Sequence, residues 1–408
     1  MTAREYPVFT VTPKAERSLR AGHPWVYGEE VTAVEGAYQN GDMVDVVSNK
    51  GRYLGTGWVN DHSKIRVRII SRNANDTFDE AFFRRRVCYA LNYRKTVMGP
   101  VDYRCCRLIF GEADQFPGLT VDRFENILVT QVLSLGMERR KDWVYRALVE
   151  LLREDGEQID AIYERNDVTI RTLEGLEQGK GFYQMEGLRT DLSGHVTITE
   201  NGIKYDVDYI EGQKTGFFLD QKYNRQAAAK LARGRRVLDC FTHTGAFALN
   251  AAAAGAEHVT AVDVSAFALE LAAENGKRNG LTNLDYKCAD VFDLLTEMAK
   301  EKKCDYDYII LDPPAFTKSR ATAKNAYHGY KEINRKAMRL LPRGGYLATC
   351  SCSHFMTDEM FRKMLWEAAL DAGVTLRQIE ARQQAPDHPI LPEVPETDYL
   401  KFYLLQVV

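Results

Sequence analysis

Two short segments in the last quarter of this 408-residue chain carry side chains suited to chemistry on a planar ring. Asp312-Pro313-Pro314-Ala315-Phe316 follows the apolar run Tyr308-Ile309-Ile310-Leu311. Its tandem prolines fix the backbone directly after the acid. Asp312 could hydrogen-bond the edge of a base while Phe316 stacks on its face. Cys350-Ser351-Cys352-Ser353-His354 closes the next apolar run. Cys350 falls inside the expected strand and reads as a buried structural thiol. Cys352 falls at its end, near where Asp312 should lie, and is the better nucleophile. If the strand persists that far, both cysteines share one face. A thiolate there could add to C6 of a pyrimidine and make C5 able to attack a methyl sulfonium. The Cys-x-Cys-x-His spacing lacks the further ligands of a zinc site, so no metal is expected.

Four acids stand at or just beyond the ends of predicted strands: Asp239, Asp263, Asp290 and Asp312. In an open parallel sheet, ligands bind beyond the carboxyl ends of the strands. The first connection, Asp239 to Gly245, carries one glycine before the Ala-rich run 246–254. It lacks G-x-G-x-x-G and is a poor dinucleotide site. Asp263 is placed to accept both hydroxyls of a ribose. Asp290, followed by Val291 and Phe292, could meet an adenine amino group and pack the ring. A nucleoside without phosphates fits this set better than a dinucleotide. Taken singly, each acid could instead cap the helix that follows it. Upstream, Gly-flanked aromatics lead into Asp220-Gln221-Lys222-Tyr223-Asn224-Arg225, which reads as a ligand lid, or at Asp220 as a helix cap.

These segments must be held by an α/β architecture. After Gln221, short apolar strands alternate with helices, which predicts right-handed crossovers and a mostly parallel sheet covered on both faces. A hairpin precedes it, His195–Glu200 and 203–210, turning at Asn201-Gly202. Residues 1–72 are β-rich and punctuated by glycines, as in a small barrel, with a short helix over 14–21. Arg66 and Arg68 lie on the face of their strand opposite Ile65 and Ile69. The polar stretch 71–77 reads as a linker. A helix over 78–98 carries Arg84, Arg85 and Arg86. Residues 103–184 read as an α+β module with strands that include 159–165 and 169–172. The expected limits are a barrel over 1–72, a central domain over 73–190 and a Rossmann-like domain over 191–408.

The chain holds 54 Lys+Arg against 57 Asp+Glu, a formal charge of −3. That balance does not announce a nucleic-acid binder. The first 100 residues, however, carry a net +4, so the excess of acid lies in the part with the strand-end carboxylates. No apolar run approaches the length of a membrane helix, and the start has no secretory h-region. A cytoplasmic location is expected, with the eight scattered cysteines reduced.

Read together, GQKTGFFLDQKYNR (212–225), LDCFTHTGAF (238–247), VDVS (262–265), DVF (290–292), DPPAF (312–316), GGYLATCSCSHFM (344–356) and APDHP (385–389) resemble class I S-adenosylmethionine-dependent methyltransferases. More narrowly, the chain resembles the bacterial 23S ribosomal RNA cytosine-5 methyltransferase family with an N-terminal PUA domain. HPWVYGEE (23–30) and residues 41–58 extend the likeness into the barrel. The resemblance implies that Asp239, Phe241, Thr244, Gly245, Asp263, Val264, Asp290, Val291 and Asp312 hold S-adenosylmethionine. Phe217, Asp220, Gln221, Asn224 and Arg225 would close over it. Cys352 would attack C6 of a cytosine that Asp312 orients, with Phe316 and Lys318 on the substrate side. The residue that takes the C5 proton is left unassigned; only proximity recommends His354 and Lys318. Arg66, Arg68, Arg84, Arg85 and Arg86 are candidates for contacts to 23S ribosomal RNA, or else form a solvated charged face. A homodimer is allowed and no membrane partner is expected. Two other readings stay open: a ribosomal RNA methyltransferase acting on a purine nitrogen without a thiol, and a non-catalytic RNA-binding assembly protein.

Overall fold

The computed structural model describes residues 5–301, 304–317 and 322–408. Its residues cluster into two compact units. The first takes Met1–Thr197, Val207–Leu219 and Pro386–Thr397. The second takes Ile198–Asp206, Asp220–Ala385 and Asp398–Val408. No helix among the described residues is long and apolar enough to cross a membrane.

The second unit is built on a seven-stranded sheet. In chain order its strands are β1 (Arg236–Cys240), β2 (His258–Asp263), β3 (Leu284–Cys288), β4 (Tyr308–Leu311), β5 (Tyr346–Ser351), β6 (Leu376–Arg382) and β7 (Lys401–Val407). Their spatial order is β3-β2-β1-β4-β5-β7-β6. The pairs from β3 to β5 are parallel, and β7 runs antiparallel between β5 and β6. The helices are α1 (Lys222–Ala229), α2 (Ala246–Ala253), α3 (Ala266–Arg278), α4 (Val291–Glu301), α5 (Ala323–Leu340) and α6 (Asp358–Ala372).

Strand alternation sorts the core into two layers. Val237, Val259, Ile310, Ala348 and Phe402 pack with Ala227, Phe247 and Ala248 of α1 and α2. Leu238, Val262, Ile309, Leu311 and Leu347 pack with Leu295, Tyr330, Ile333 and Phe361 of α4, α5 and α6. Both faces are covered, which is why β4 is apolar at every position and fully buried. Ser265 and Thr357 cap α3 and α6 by accepting the amides of Ala268 and Met360. The hairpin turns at Asn201 (φ 53°) and Gly202 (φ 80°), the double positive φ that the Asn-Gly pair favours.

The first unit contains two sheets. One has six strands between Val8 and Ser71, with a helix, Pro13–Arg20, capped by Thr12. The other has five strands, Cys105–Phe110, Leu119–Phe124, Ile127–Val132, Ala161–Asn166 and Gly179–Phe182. Helices Glu80–Val97 and Lys141–Glu154 accompany it, the former capped by Asp79. One expectation fails here: residues 169–172 are not a strand but part of a 3-10 helix, Thr169–Glu174. The buried Arg171 guanidinium reaches the carbonyls of Val132 and Glu177 and the Glu138 carboxylate, and this holds the segment as a turn. Tertiary contacts override the strand propensity of Thr-Ile-Arg-Thr.

Candidate active site

Strand order reverses between β1 and β4, and the strand-end acids gather at that switch point. Asp239 lies in β1, Asp263 ends β2, Asp290 follows β3 by two residues and Asp312 directly follows β4. The loop after β1 is bent hard. Phe241 (φ 64°), His243 (φ 51°) and Gly245 (φ 84°) all take left-handed backbone. Two of the three are not glycine, which marks a loop held in place by its surroundings. The amide of His243 donates to Asp263 Oδ2 (2.9 Å), and that of Ser265 to Asp263 Oδ1 (2.9 Å). Asp263 therefore ties the first two strand ends together. Asp290 accepts the amides of Phe292 and Asp293 with a single oxygen, so the capping role holds for it.

Asp239 is fully buried. Its Oδ2 accepts from Thr242 Oγ1 (2.5 Å) and from the Ala248 amide (2.9 Å). Its Oδ1 has no partner among the described residues. Burial above all, with Asp312 and Asp263 adding, pushes this carboxyl up to about 7. Thr244 in the loop after β1 and Val291 beside Asp290 are buried, whereas Val264 is 73% exposed beside Asp263.

A hydrogen-bonded relay ends on Asp312. Arg382 Nε donates to Asn224 Oδ1 (3.2 Å), Asn224 Nδ2 to Gln221 Oε1 (2.7 Å), and Gln221 Nε2 to Asp312 Oδ1 (3.0 Å). Asp220 does not cap α1; its Oδ2 accepts from the Tyr399 hydroxyl (2.6 Å). Arg225 makes a bidentate pair with Glu200 at 2.6 and 2.8 Å, with 2% and 0% of the two side chains exposed. Burial and then the Asp220 carboxylate push Asp312 up to about 6, against Arg225, Cys350 and Gln221.

The loops after β4 and β5 are joined, because Ser353 Oγ donates to the Thr317 carbonyl (3.1 Å). Strand β5 stops at Ser351, so Cys352 lies just outside it, half-buried. Cys350 is fully buried, and burial pushes its thiol well above the ordinary range. Phe316 packs at 4.5 Å from the Tyr330 ring and 5.8 Å from that of Phe292. His354 Nδ1 is buried without a partner among the described residues. Lys318 lies outside the described residues.

Phe217 is buried and belongs to the first unit. The five candidate arginines also lie there, and each already has an intramolecular contact. Arg66 binds Asp61 (2.8 Å) and Tyr38 (2.9 Å), and Arg68 binds Glu174 (2.8 Å). Arg84 meets Glu150 (3.0 Å) and Glu154 (2.8 Å), and Arg85 approaches Asp76 (3.6 Å). Arg86 donates to the Gln115 carbonyl (3.0 Å), and burial pulls it down to about 10. Glu200, Arg382 and Lys401 are structural partners of the site that motif reading passed over, and Ser353 stood in its motif without a role. Lys401 alone left a signal, as a charge opening a strand whose next four residues, 402–405, are apolar.

A seven-stranded sheet in this order, with acids at its first four parallel strand ends, defines a Rossmann-like methyltransferase domain. A family model described as S-adenosylmethionine-dependent methyltransferase matches residues 183–405, and one described as PUA-like domain matches 9–72. The chain is 40% identical over 401 residues to a Pseudoalteromonas atlantica protein named Ribosomal RNA large subunit methyltransferase I. The match covers 98% of this chain and 99% of that protein. A protein of the same name from Shewanella denitrificans is 42% identical over 399 residues, covering 97% and 98%. A solved structure described as a SAM-dependent methyltransferase from Streptococcus mutans shares the fold. Its TM-score is 0.81 at 22% identity, over 98% of this chain and all of that one. The chain belongs to the S-adenosylmethionine-dependent methyltransferase family, with an N-terminal PUA-like domain.

The residues present fit that cofactor. The partnerless Asp239 Oδ1 is an acceptor suited to a cationic amine. Exposed Val264 offers apolar surface for a base beside the Asp263 carboxylate, which suits ribose hydroxyls. Bound there, S-adenosylmethionine supplies an electrophilic methyl group.

Proposed function

We propose that the protein methylates C5 of a cytosine in 23S ribosomal RNA through a covalent adduct between Cys352 and C6. The observation that carries this reading is a half-buried thiol in the loop after β5, tied through Ser353 to the loop that bears Asp312 and Phe316. A ring carbon is a poor nucleophile and needs such activation, whereas a purine nitrogen attacks without it. The relatives' names point to ribosomal RNA of the large subunit as substrate.

In this mechanism the Cys352 thiolate adds to C6, and the electron pair of the 5,6 double bond moves to C5, the atom that accepts the methyl. Asp312, held by Gln221, orients the base edge. Its raised affinity for a proton suits it to share one with N3 as negative charge develops on the ring. Loss of the C5 proton then expels the thiolate and restores the ring. The target base must be unpaired or flipped to expose its face.

The test is mass mapping of 23S ribosomal RNA from a deletion strain. One missing 5-methylcytidine should return with the wild-type protein and not with Cys352→Ala. Methylation by purified Cys352→Ala should fall by at least about 100-fold. Full activity of that variant, or a methylated purine as the missing product, would overturn the reading.

A further inference from the structure

We infer that Lys401 is the positioning residue of Cys352, fixing the loop that carries the thiol and favouring the thiolate through its positive charge. The inference rests on the proposal that Cys352 is the nucleophile.

Strand β7 runs antiparallel beside β5, with Lys401 opposite Ser351 and Phe402 opposite Cys350. Lys401 thus sits at the point where β5 ends and the Cys352 loop begins. Only 4% of it is exposed. Its Nζ donates to the Ser353 carbonyl (2.6 Å) and to the Tyr399 carbonyl (2.8 Å). One contact therefore grips the residue next to the thiol, while the other anchors the ammonium to the segment just before its own strand. Among the described residues no carboxylate comes within ion-pair distance of it. A buried ammonium held only by carbonyls is costly. Burial accordingly pulls Lys401 down to about 8, while Asp398, Cys352 and Asp358 act in the opposite direction.

Among the described residues, the carboxylates whose charge acts on Lys401 are Asp358 and Asp398. Asp358 starts α6 and also binds the Tyr403 hydroxyl. Asp398 lies in the approach to β7. Cys350 and Tyr330 both feel charge on Cys352. Neither Cys350 nor Tyr330 is a cation, whereas Lys401 acts on the sulfur with a positive charge. Attraction between the two is mutual: what Lys401 does for the thiolate, the thiolate does for the ammonium. The proton lost by Cys352 passes to solvent, and Lys401 takes no part in bond making.

The test reads the thiol directly and needs neither RNA nor methyl transfer. Full-length, ligand-free protein is alkylated with iodoacetamide across pH 6 to 10, and Cys352 is followed by peptide mass spectrometry. Exposed Cys288 in the same digest is the control. Lys401→Gln keeps a donor and loses the charge. It should move the Cys352 midpoint up by about one unit, slowing alkylation at pH 7 about tenfold, with Cys288 unchanged. Lys401→Arg keeps the charge and should leave the midpoint near wild type. An unshifted midpoint in Lys401→Gln overturns the inference. If that variant does not fold, a full-unit upward shift in Lys401→Arg does the same. Retained methylation by Cys352→Ala would instead refute the nucleophile assignment and leave the alkylation result standing.

Discussion

Replacing Asp239 with asparagine should flatten the pH dependence of stability in the ligand-free protein. The Asp239 carboxyl is fully buried, with two donors on one oxygen and none on the other. Its affinity for a proton rises from an ordinary 3.8 to about 7 on folding. Between these values the folded chain keeps a proton that the unfolded chain has lost. The stability this group allows is complete below the unfolded value and is lost as pH rises through the folded one. At about 1.36 kcal/mol per unit, roughly three units cost about 4 kcal/mol by pH 8, of which about 3 kcal/mol falls between pH 5 and 8. Asparagine can accept from Thr242 and Ala248 with its oxygen. Its amide nitrogen then stands where the partnerless oxygen was, at a fixed cost of about 1–3 kcal/mol that does not titrate. The stability of Asp239→Asn relative to wild type should therefore climb by about 3 kcal/mol from pH 5 to pH 8. The assay is urea unfolding of both proteins at matched pH, following the transition that S-adenosylmethionine shifts. Other titrating groups largely cancel in the difference. Parallel curves would refute the reasoning, because they would mean that Asp239 folds as an ordinary carboxylate.

Two further outcomes test the architecture of the site. Arg225→Met leaves the fully buried Glu200 without its partner and should destabilise by about 3–5 kcal/mol. Adding Glu200→Met should recover much of that loss in the urea midpoint, and an additive double variant would contradict a paired charge. Gly245→Ala must place a Cβ 2.9 Å from the Ala272 Cβ at φ +84°. The backbone term alone costs about 1–2 kcal/mol, and the loop should lose S-adenosylmethionine affinity measured by calorimetry. Unchanged affinity would show that the loop conformation does not serve the cofactor.

How much of this was legible follows from the range over which each interaction acts. Strand β4 was readable because an apolar run ending at Asp312 is a local pattern, and both-face burial needs no other information. The loop after β1 was half readable. Gly245 announces its positive φ, but Phe241 and His243 adopt theirs because tertiary contacts such as the bond to Asp263 hold them. The relay was invisible. Gln221 and Asp312 are 91 positions apart, and Arg382 and Asn224 are 158 apart. The pairing of the arginines was hidden for a related reason: counting charges in the first 100 residues finds the cations but not the distant acids beside them, such as Glu174 opposite Arg68.

The same distinction separates what the acids do. A strand-end aspartate is placed by topology, so its position was readable, but its protonation is set by which neighbours reach it. Asp263 accepts the amides of His243 and Ser265, and Asp290 those of Phe292 and Asp293. Asp239 and Asp312 are buried near one another, Asp220 adds its charge at Asp312, and both are driven toward neutrality. The strand ends thus carry amide-bound acids at β2 and β3 and acids driven toward neutrality at β1 and β4. That Asp239 and Asp312 are driven to hold protons is therefore set by burial as much as by strand order.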